Sequence, residues 1–176
     1  MVSVNRRINE DVSFHENEVK LAKTAMDKLR TTVEFIYYLM EHRGRASFTM
    51  IMISAENLLL HVPLKKWKRQ TDILIEIDPV LNVYVIICQS TNREGGRRFA
   101  EILLSNINMN GGDGAYCVET ELTSASHPIQ EVIFKMVEKY ITIKQAEKAD
   151  EVHYTAYGED EVEEDEDIAY FEDIIK

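Results

Sequence analysis

Two short runs of β-branched residues dominate the hydrophobic pattern of this chain. The first run is Ile73 to Ile77 and the second is Val83 to Ile87, and Asp78-Pro-Val-Leu-Asn82 lies between them. Such runs, joined by a short loop of Pro, Asn and Asp, are typical of a β-hairpin. Neither run alternates cleanly with polar residues. We therefore expect both strands to be central in a sheet and covered by helices on at least one face.

Helical spacing appears in three further segments. Apolar residues three or four positions apart predict a long helix from about Asn17 to Arg43. Its stripe packs on the sheet or, alternatively, its first half projects as a coiled-coil arm. Thr91-Asn-Arg-Glu94 matches a capping box that starts a second helix, and Pro128 lies near the start of a third. We expect the second helix to bury Phe99, Ile102, Leu103 and Ile107.

Two more strands and a short helix complete the predicted order. Phe48–Ser54 is predicted to be a buried strand, and part of Asn57–Lys68 is predicted to be helical. Ala115–Leu122 alternates apolar and polar residues, which indicates an edge strand with one wetter face. The middle of the chain is thus β-α-β-β-α-β, a split βαβ unit. The predicted fold class is α+β, ferredoxin-like or nucleotide-cyclase-like, with a mostly antiparallel four-stranded sheet and the unit's helices on one face.

Charge divides the chain unevenly. Of the 31 acidic residues, 13 lie in residues 147–176, whereas residues 1–146 hold 18 acidic and 18 basic residues. A segment with this density of like charges repels itself and cannot bury enough apolar surface to fold. We therefore predict a flexible N-terminus (1–15), one domain (16–146) and a disordered acidic tail (147–176). The apolar end of the tail, residues 168–175, either folds back on the domain or binds a partner.

Composition excludes several classes of function. The domain has no clustered positive charge of the kind that nucleic-acid binding needs. The longest uncharged apolar stretch, Ala46 to Ala55, is too short to cross a bilayer. The N-terminal residues have no signal-peptide pattern, and Cys88 and Cys117 lie inside predicted strands, as buried thiols do. The sequence therefore predicts a soluble cytoplasmic protein without a metal, cofactor, nucleic acid or membrane insertion.

Across residues 27–146 the sequence resembles a degenerate diguanylate cyclase (GGDEF) domain. Asp27-x-Leu29 resembles the start of that domain, and Arg45-Ala-Ser-Phe-Thr-Met-Ile-Met-Ile-Ser-Ala-Glu56 resembles its first strand. Asp78-Pro-Val-Leu-Asn82 stands where the family has Gly-Gly-Asp-Glu-Phe, and Ser90-Thr-Asn-Arg-Glu-Gly-Gly-Arg-Arg-Phe-Ala-Glu101 resembles the loop and helix that follow. The order and spacing of these parts carry the resemblance.

The departures from the family pattern concern its catalytic residues. Active members need carboxylates to hold two divalent cations against the triphosphate of GTP. Here the first-strand pair is Ser54 and Glu56, and Val80 and Leu81 replace the carboxylates of the signature turn. Gly111-Gly-Asp113 resembles the signature but follows the wrong helix, so we interpret it as a turn. The resemblance therefore implies a protein that is not an enzyme.

Arg69-x-x-Asp72 keeps the family's spacing from the signature turn. In the family this motif forms an inhibitory site for cyclic di-GMP, so the resemblance implies that Arg69 and Asp72 bind this ligand. A guanidinium can take a phosphate or the Hoogsteen edge of guanine, and a carboxylate can accept from guanine N–H groups. The family's further arginine is Ile102 here, so we expect Arg98 to replace it and Lys68 to assist. The alternative is a surface ion pair that caps a strand.

Two functions remain open at this point. One is a non-catalytic signalling domain that acts as a cyclic di-GMP receptor. The other is a protein-interaction or scaffold domain, without a nucleotide ligand, that binds an unknown partner through its long helix or acidic tail. An unusual nucleotide-processing enzyme is a third and weaker alternative.

Overall fold

The computed structural model describes residues 2–44 and 47–156, with side chains from Glu16 onward. Its helices and strands follow the predicted order, with one additional strand at the end. They are α1 (Val2–Arg43), β1 (Phe48–Glu56), α2 (His61–Trp67), β2 (Ile73–Asp78), β3 (Val83–Gln89), α3 (Arg93–Met109), β4 (Asp113–Leu122), α4 (Ile129–Gln145) and β5 (Val152–Thr155).

Within the described residues, the strands form one five-stranded sheet in the order β2-β3-β1-β4-β5. β1 is central and runs antiparallel to both β3 and β4. β2 and β3 form the predicted hairpin, and β5 pairs with β4 in parallel. The α+β fold class with a mostly antiparallel sheet is therefore confirmed.

Both faces of the sheet are covered by helices. α2 and α3, the helices of the split βαβ unit, pack on one face as predicted, and α1 and α4 pack on the other. The stripe of α1 from Leu21 to Ile36 is buried against the sheet, so this part of the helix is not a projecting arm. Tyr37 also donates a 2.7 Å hydrogen bond to the carbonyl of His127, which ties α1 to the loop before α4.

The predicted ends of the chain need correction. α1 begins at Val2 and not near Asn17, so the helix occupies residues for which we expected a flexible N-terminus. β5 lies inside the predicted disordered tail, because the short run Val152–Thr155 finds a free edge on β4. The acidic run 159–167 and the apolar residues 168–175 lie outside the described residues.

The predicted edges of the sheet were also wrong. β2 was expected to be central, but it is an edge strand, and most of its side chains are only half-buried. β4 was expected to be an edge strand, but β5 covers its outer side. The face of β4 that we expected to be more exposed to solvent is partly buried, since Cys117 and Glu119 are both buried.

α3 lies unusually close to the sheet at Gly96. A Cβ atom added there would be 2.4 Å from Cγ2 of Thr49 and 2.7 Å from Oε1 of Glu119, so no larger residue fits without movement. The N-cap of α3 is Asn92, whose side chain accepts from the N–H of Gly95 at 2.8 Å, and not the predicted Thr91. The predicted burial of Ile102 was wrong, because its side chain is more than half exposed.

No helix in residues 2–44 or 47–156 is long and apolar enough to cross a membrane.

Candidate ligand-binding cleft

Asp72 holds Arg69 through several hydrogen bonds at the start of β2. Its Oδ1 accepts from Nε and Nη2 of Arg69 at 3.1 and 2.9 Å, and its Oδ2 accepts from the backbone N–H of Arg69 at 2.9 Å. The Asp72 side chain is fully buried, whereas about half of the Arg69 side chain is exposed. A buried carboxylate with several charge-assisted bonds fixes its partner more firmly than a surface ion pair does.

Arg69 also bridges to the loop between β3 and α3. Its Nη2 donates to the Thr91 hydroxyl at 2.7 Å and to the Gln89 carbonyl at 3.4 Å. Thr91 is buried and donates in turn to the Gln89 carbonyl at 2.9 Å. The hydroxyl that we expected to cap α3 therefore orients Arg69 instead. Hydrogen bonding to Asp72 is the main cause of a raised Arg69 pKa, so the guanidinium stays charged.

The exposed side of Arg69 lines an open cleft of about 560 Å³ between the β3–α3 loop and α3. Basic, hydroxyl and amide groups surround an aromatic side chain in this cleft. Its lining residues are Ser47, Arg69, Ser90, Thr91, Asn92, Gly95, Arg98, Phe99 and Ile102.

Of the four predicted site residues, two line this cleft. Arg69 and Arg98 both line it, and Arg98 is anchored to Glu94 one helical turn earlier by a 2.6 Å ion pair. Lys68 does not line it, because its ammonium donates to the carbonyls of Asp72 and Arg69 at 3.0 and 3.3 Å. Asp72 lies buried behind Arg69, where its carboxylate already accepts from Arg69.

The turn at the signature position is stabilised by its own side chains. Oδ1 of Asp78 accepts from the N–H groups of Val80 and Leu81 at 2.9 and 3.0 Å. Asn82, which has a positive φ of 58°, donates to the Ala55 carbonyl at 2.9 Å and accepts from the Leu60 N–H at 2.9 Å. Asp78 and Asn82 therefore shape the turn, and Val80 and Leu81 point into solvent.

The first-strand pair has no metal-binding arrangement around it. Ser54 is buried and accepts a hydrogen bond from Tyr140, and Glu56 lies at the exposed end of β1. Across residues 2–44 and 47–156, no group of three or more His, Cys, Asp or Glu side chains could hold a metal ion. Both cysteines are buried, and burial raises the pKa of Cys88 to about 12.

No protein-family model matches this chain, and no curated protein matches it significantly. Solved structures do match it in fold. The diguanylate cyclase SiaD of Pseudomonas aeruginosa, in complex with its activator SiaC, superposes with a TM-score of 0.56 at 11% identity over 88% of this chain and 72% of that one. This chain has a GGDEF-like fold.

Two further structures support the same conclusion. A microbial GGDEF domain whose structure concerns its interaction with cyclic di-GMP matches with a TM-score of 0.55 at 7% identity, over 76% of this chain and 89% of that one. The active GGEEF domain of a diguanylate cyclase from Vibrio cholerae matches with a TM-score of 0.53 at 11% identity, over 70% and 92%. At these identities the likeness concerns the GGDEF-like fold alone.

Sequence reasoning missed the polar residues of the β3–α3 loop. Ser90, Thr91 and Asn92 all line the cleft, and Thr91 contacts Arg69 directly. Three polar residues directly after a buried strand were the available signal, but the capping-box pattern suggested another role for Thr91.

Proposed function

We propose that this protein is a non-catalytic signalling domain with a GGDEF-like fold, and that it binds cyclic di-GMP in the cleft between Arg69 and Arg98. The observation that carries the proposal is the fixed position of Arg69. Asp72 and Thr91 hold its Nε and Nη2, while about half of its side chain is exposed and lines the cleft.

The cleft suits a guanine nucleotide chemically. An oriented guanidinium can bind a phosphate or the O6 and N7 atoms of guanine through paired N–H groups. Arg98 offers a second positive charge on the same cleft, and the half-buried ring of Phe99 offers a surface on which a base can stack. A volume of about 560 Å³ is in the range of small-molecule sites.

Each predicted site residue has a distinct role in this proposal. Arg69 and Arg98 contact the ligand, and Asp72 is a positioning residue that acts through Arg69, since its oxygens already accept from that side chain. Lys68 contributes only screened attraction, because its ammonium is turned towards backbone carbonyls.

The proposed absence of catalysis rests on the signature turn. Cyclase chemistry needs hard oxygen ligands for divalent cations next to the triphosphate. In this turn Val80 and Leu81 stand where the resemblance puts the carboxylates. Oδ1 of Asp78 accepts from the backbone N–H groups of these two residues.

Calorimetric titration of the purified full chain with cyclic di-GMP tests the receptor proposal. We expect saturable binding that weakens about ten- to a hundredfold in Arg69→Ala, because the lost group leaves ligand atoms unpaired. Arg98→Ala should weaken it as well. Lys65→Ala is the matched control, since it removes a nearby exposed charge on α2 that does not line the cleft.

Two results would count against the receptor proposal. If titration with cyclic di-GMP up to high micromolar concentrations released no heat of binding, the receptor proposal would be wrong and the scaffold function would remain. Saturable binding that is unchanged by both Arg69→Ala and Arg98→Ala would place the ligand elsewhere on the domain.

The scaffold function is the second candidate, and one observation favours it. Phe35 and Tyr38 are large, exposed side chains on α1, on the side of the sheet away from the cleft. Exposed aromatic side chains are frequent in protein interfaces, and one solved neighbour in fold is a complex with a protein activator. A photo-crosslinker at Phe35 should capture one defined partner in cells, whereas the same group at Val62 on α2 should not.

A further inference from the structure

β2 forms an open edge of the sheet. Within residues 2–44 and 47–156 it pairs with β3 on one side, and no strand lies on its other side. An edge strand presents a row of backbone N–H and C=O groups that can pair with another chain. Ile73, Leu74 and Ile75 follow one another along this edge, and each is only half-buried. The edge therefore combines backbone groups for pairing with apolar surface.

The apolar part of this edge has none of the usual protection against pairing. Edge strands of natural proteins are commonly guarded by a lysine, a proline, an inward-pointing charge or a β-bulge. None of these occurs from Ile73 to Ile75, and the irregularity in the β2–β3 register comes only between Glu76 and Asp78. Ile73 and Ile75 pack on the α1 side of the sheet, and Leu74 packs on the α2 side. A strand added here would therefore bury apolar side chains on both faces.

The charges around β2 indicate which chain fits its edge. A basic segment precedes the strand, since four of residues 65–69 are Lys or Arg, and the strand ends with the acidic residues Glu76 and Asp78. Lys68 lies at the start of β2, where its ammonium donates to the Asp72 carbonyl at 3.0 Å. A second β2 in antiparallel orientation places its acidic end beside this basic start, and the reverse contact follows by symmetry. The edge is therefore complementary in charge to a copy of itself.

We propose that two copies of this chain pair through β2, antiparallel about a two-fold axis at Leu74, so that their sheets become continuous. In this register Leu74 faces the second copy's Leu74, and Ile73 faces its Ile75. Glu76, whose side chain is more than a third exposed, reaches the second copy's turn 68–72. Such an interface uses the same surface on both copies and closes at a dimer. It needs no nucleotide and is therefore independent of the receptor proposal.

A disulfide across the two-fold axis tests the register. Directly opposed residues have Cβ atoms about 5 Å apart, so Leu74→Cys in the full chain should form a disulfide-linked dimer on mild air oxidation. Thr71→Cys is the matched control at an exposed position. Its two copies would lie about 20 Å apart in the dimer, because residue 71 faces residue 77. Cys88 and Cys117 are buried and should not contribute links.

Sedimentation velocity measures the association without a cross-link. For the natural chain we expect a monomer–dimer equilibrium whose dimer fraction rises between about 1 and 100 μM. Glu76→Lys creates two like-charge contacts by symmetry and should raise the Kd of the dimer about tenfold. Glu138→Lys makes the same change of charge at an exposed position of α4 and should leave the Kd unchanged.

Three results would overturn the pairing through β2. The first is a natural chain that stays monomeric up to about 100 μM, a range that covers micromolar affinities. The second is cross-linking of Thr71→Cys as readily as of Leu74→Cys. The third is a dimer with the same Kd in Glu76→Lys as in Glu138→Lys. The last comparison does not depend on Leu74→Cys, which also removes apolar packing on the α2 side.

Discussion

Tyr140 donates a 2.7 Å hydrogen bond to the hydroxyl of Ser54 in the interior of the protein. The bond joins α4 to the central strand β1, and both residues are buried. Burial raises the pKa of Tyr140 to about 12, so the phenol remains a donor throughout the usual pH range. Ser54 is the residue that stands where the resemblance puts a metal-binding carboxylate, and here it has a structural role.

Tyr140→Phe should therefore destabilise the fold. The substitution leaves the buried Ser54 hydroxyl without its partner, at a cost of about 1–2 kcal/mol in the free energy of unfolding. Urea denaturation with an unchanged slope measures this cost. Tyr38→Phe, at an exposed position on α1, is the control and should leave the midpoint nearly unchanged. Equal midpoints for the two variants would contradict the role given to the bond.

The purified protein should not make cyclic di-GMP from GTP with magnesium or manganese. Val80 and Leu81 stand where the resemblance puts the carboxylates of the signature turn, and Ser54 stands where it puts a carboxylate of the first strand. Ser54→Asp alone should not create activity, because the turn still lacks its ligands. Chromatography of the nucleotide products is the measurement. Turnover that disappears in Glu56→Gln would show that the chain is a cyclase after all.

Glu119 should make stability depend on pH. Its side chain is buried between α3 and the sheet, and burial raises its pKa to about 7 from an ordinary value near 4.5, with Glu121 adding to the rise and Arg93 and Arg97 opposing it. The folded state therefore holds this proton more tightly than the unfolded state. The contribution to stability is fully present below pH 4.5 and is lost as the pH rises from 4.5 through 7.

Glu119→Gln removes that loss, because the amide has no charge to bury. Relative to the natural chain, the variant should gain about 1–3 kcal/mol in the free energy of unfolding at pH 8 and much less at pH 4.5. Denaturant titrations at the two pH values measure the difference, and Glu41→Gln, at an exposed position of α1, serves as the control. A gain that is the same at both pH values would contradict the titration of Glu119 as its cause.

Asp72→Asn should lower the free energy of unfolding and loosen the position of Arg69 in the cleft. The amide cannot accept from both Nε and Nη2 of Arg69 and from its backbone N–H as the carboxylate does. We expect a loss of about 1–3 kcal/mol in the free energy of unfolding. Glu94→Gln breaks the exposed ion pair with Arg98 and should cost little. If Asp72→Asn were as stable as the natural chain, Asp72 would not hold Arg69.

The central part of the fold was predictable from sequence because its hydrophobic pattern is strong. The β2–β3 hairpin, the buried strand β1 and the amphipathic helices follow from apolar periodicity. The edges of the sheet were not predictable in this way. β5 has only four residues and lies among charged ones, and its pairing with β4 depends on a contact distant in sequence, which no local pattern encodes.

At the candidate cleft, the sequence indicated where Arg69 lies but not how it is held. Local spacing predicted the contact between Arg69 and Asp72. It did not predict that Asp72 would be buried with its oxygens already occupied by Arg69, because burial depends on how the 68–72 loop packs against the end of β3. The contact with Thr91, 22 residues away, is likewise a product of the tertiary fold.

Gly96 is a sequence feature of this architecture that does not depend on the signature turn. The space above Thr49 and Glu119 has no room for a Cβ atom. Any chain in which α3 packs this close to the sheet must therefore keep a glycine at this position, even if the residues of its signature turn change. A search profile that weights a glycine four residues after the helix N-cap, opposite a central strand, would find chains of this shape after their catalytic residues had changed.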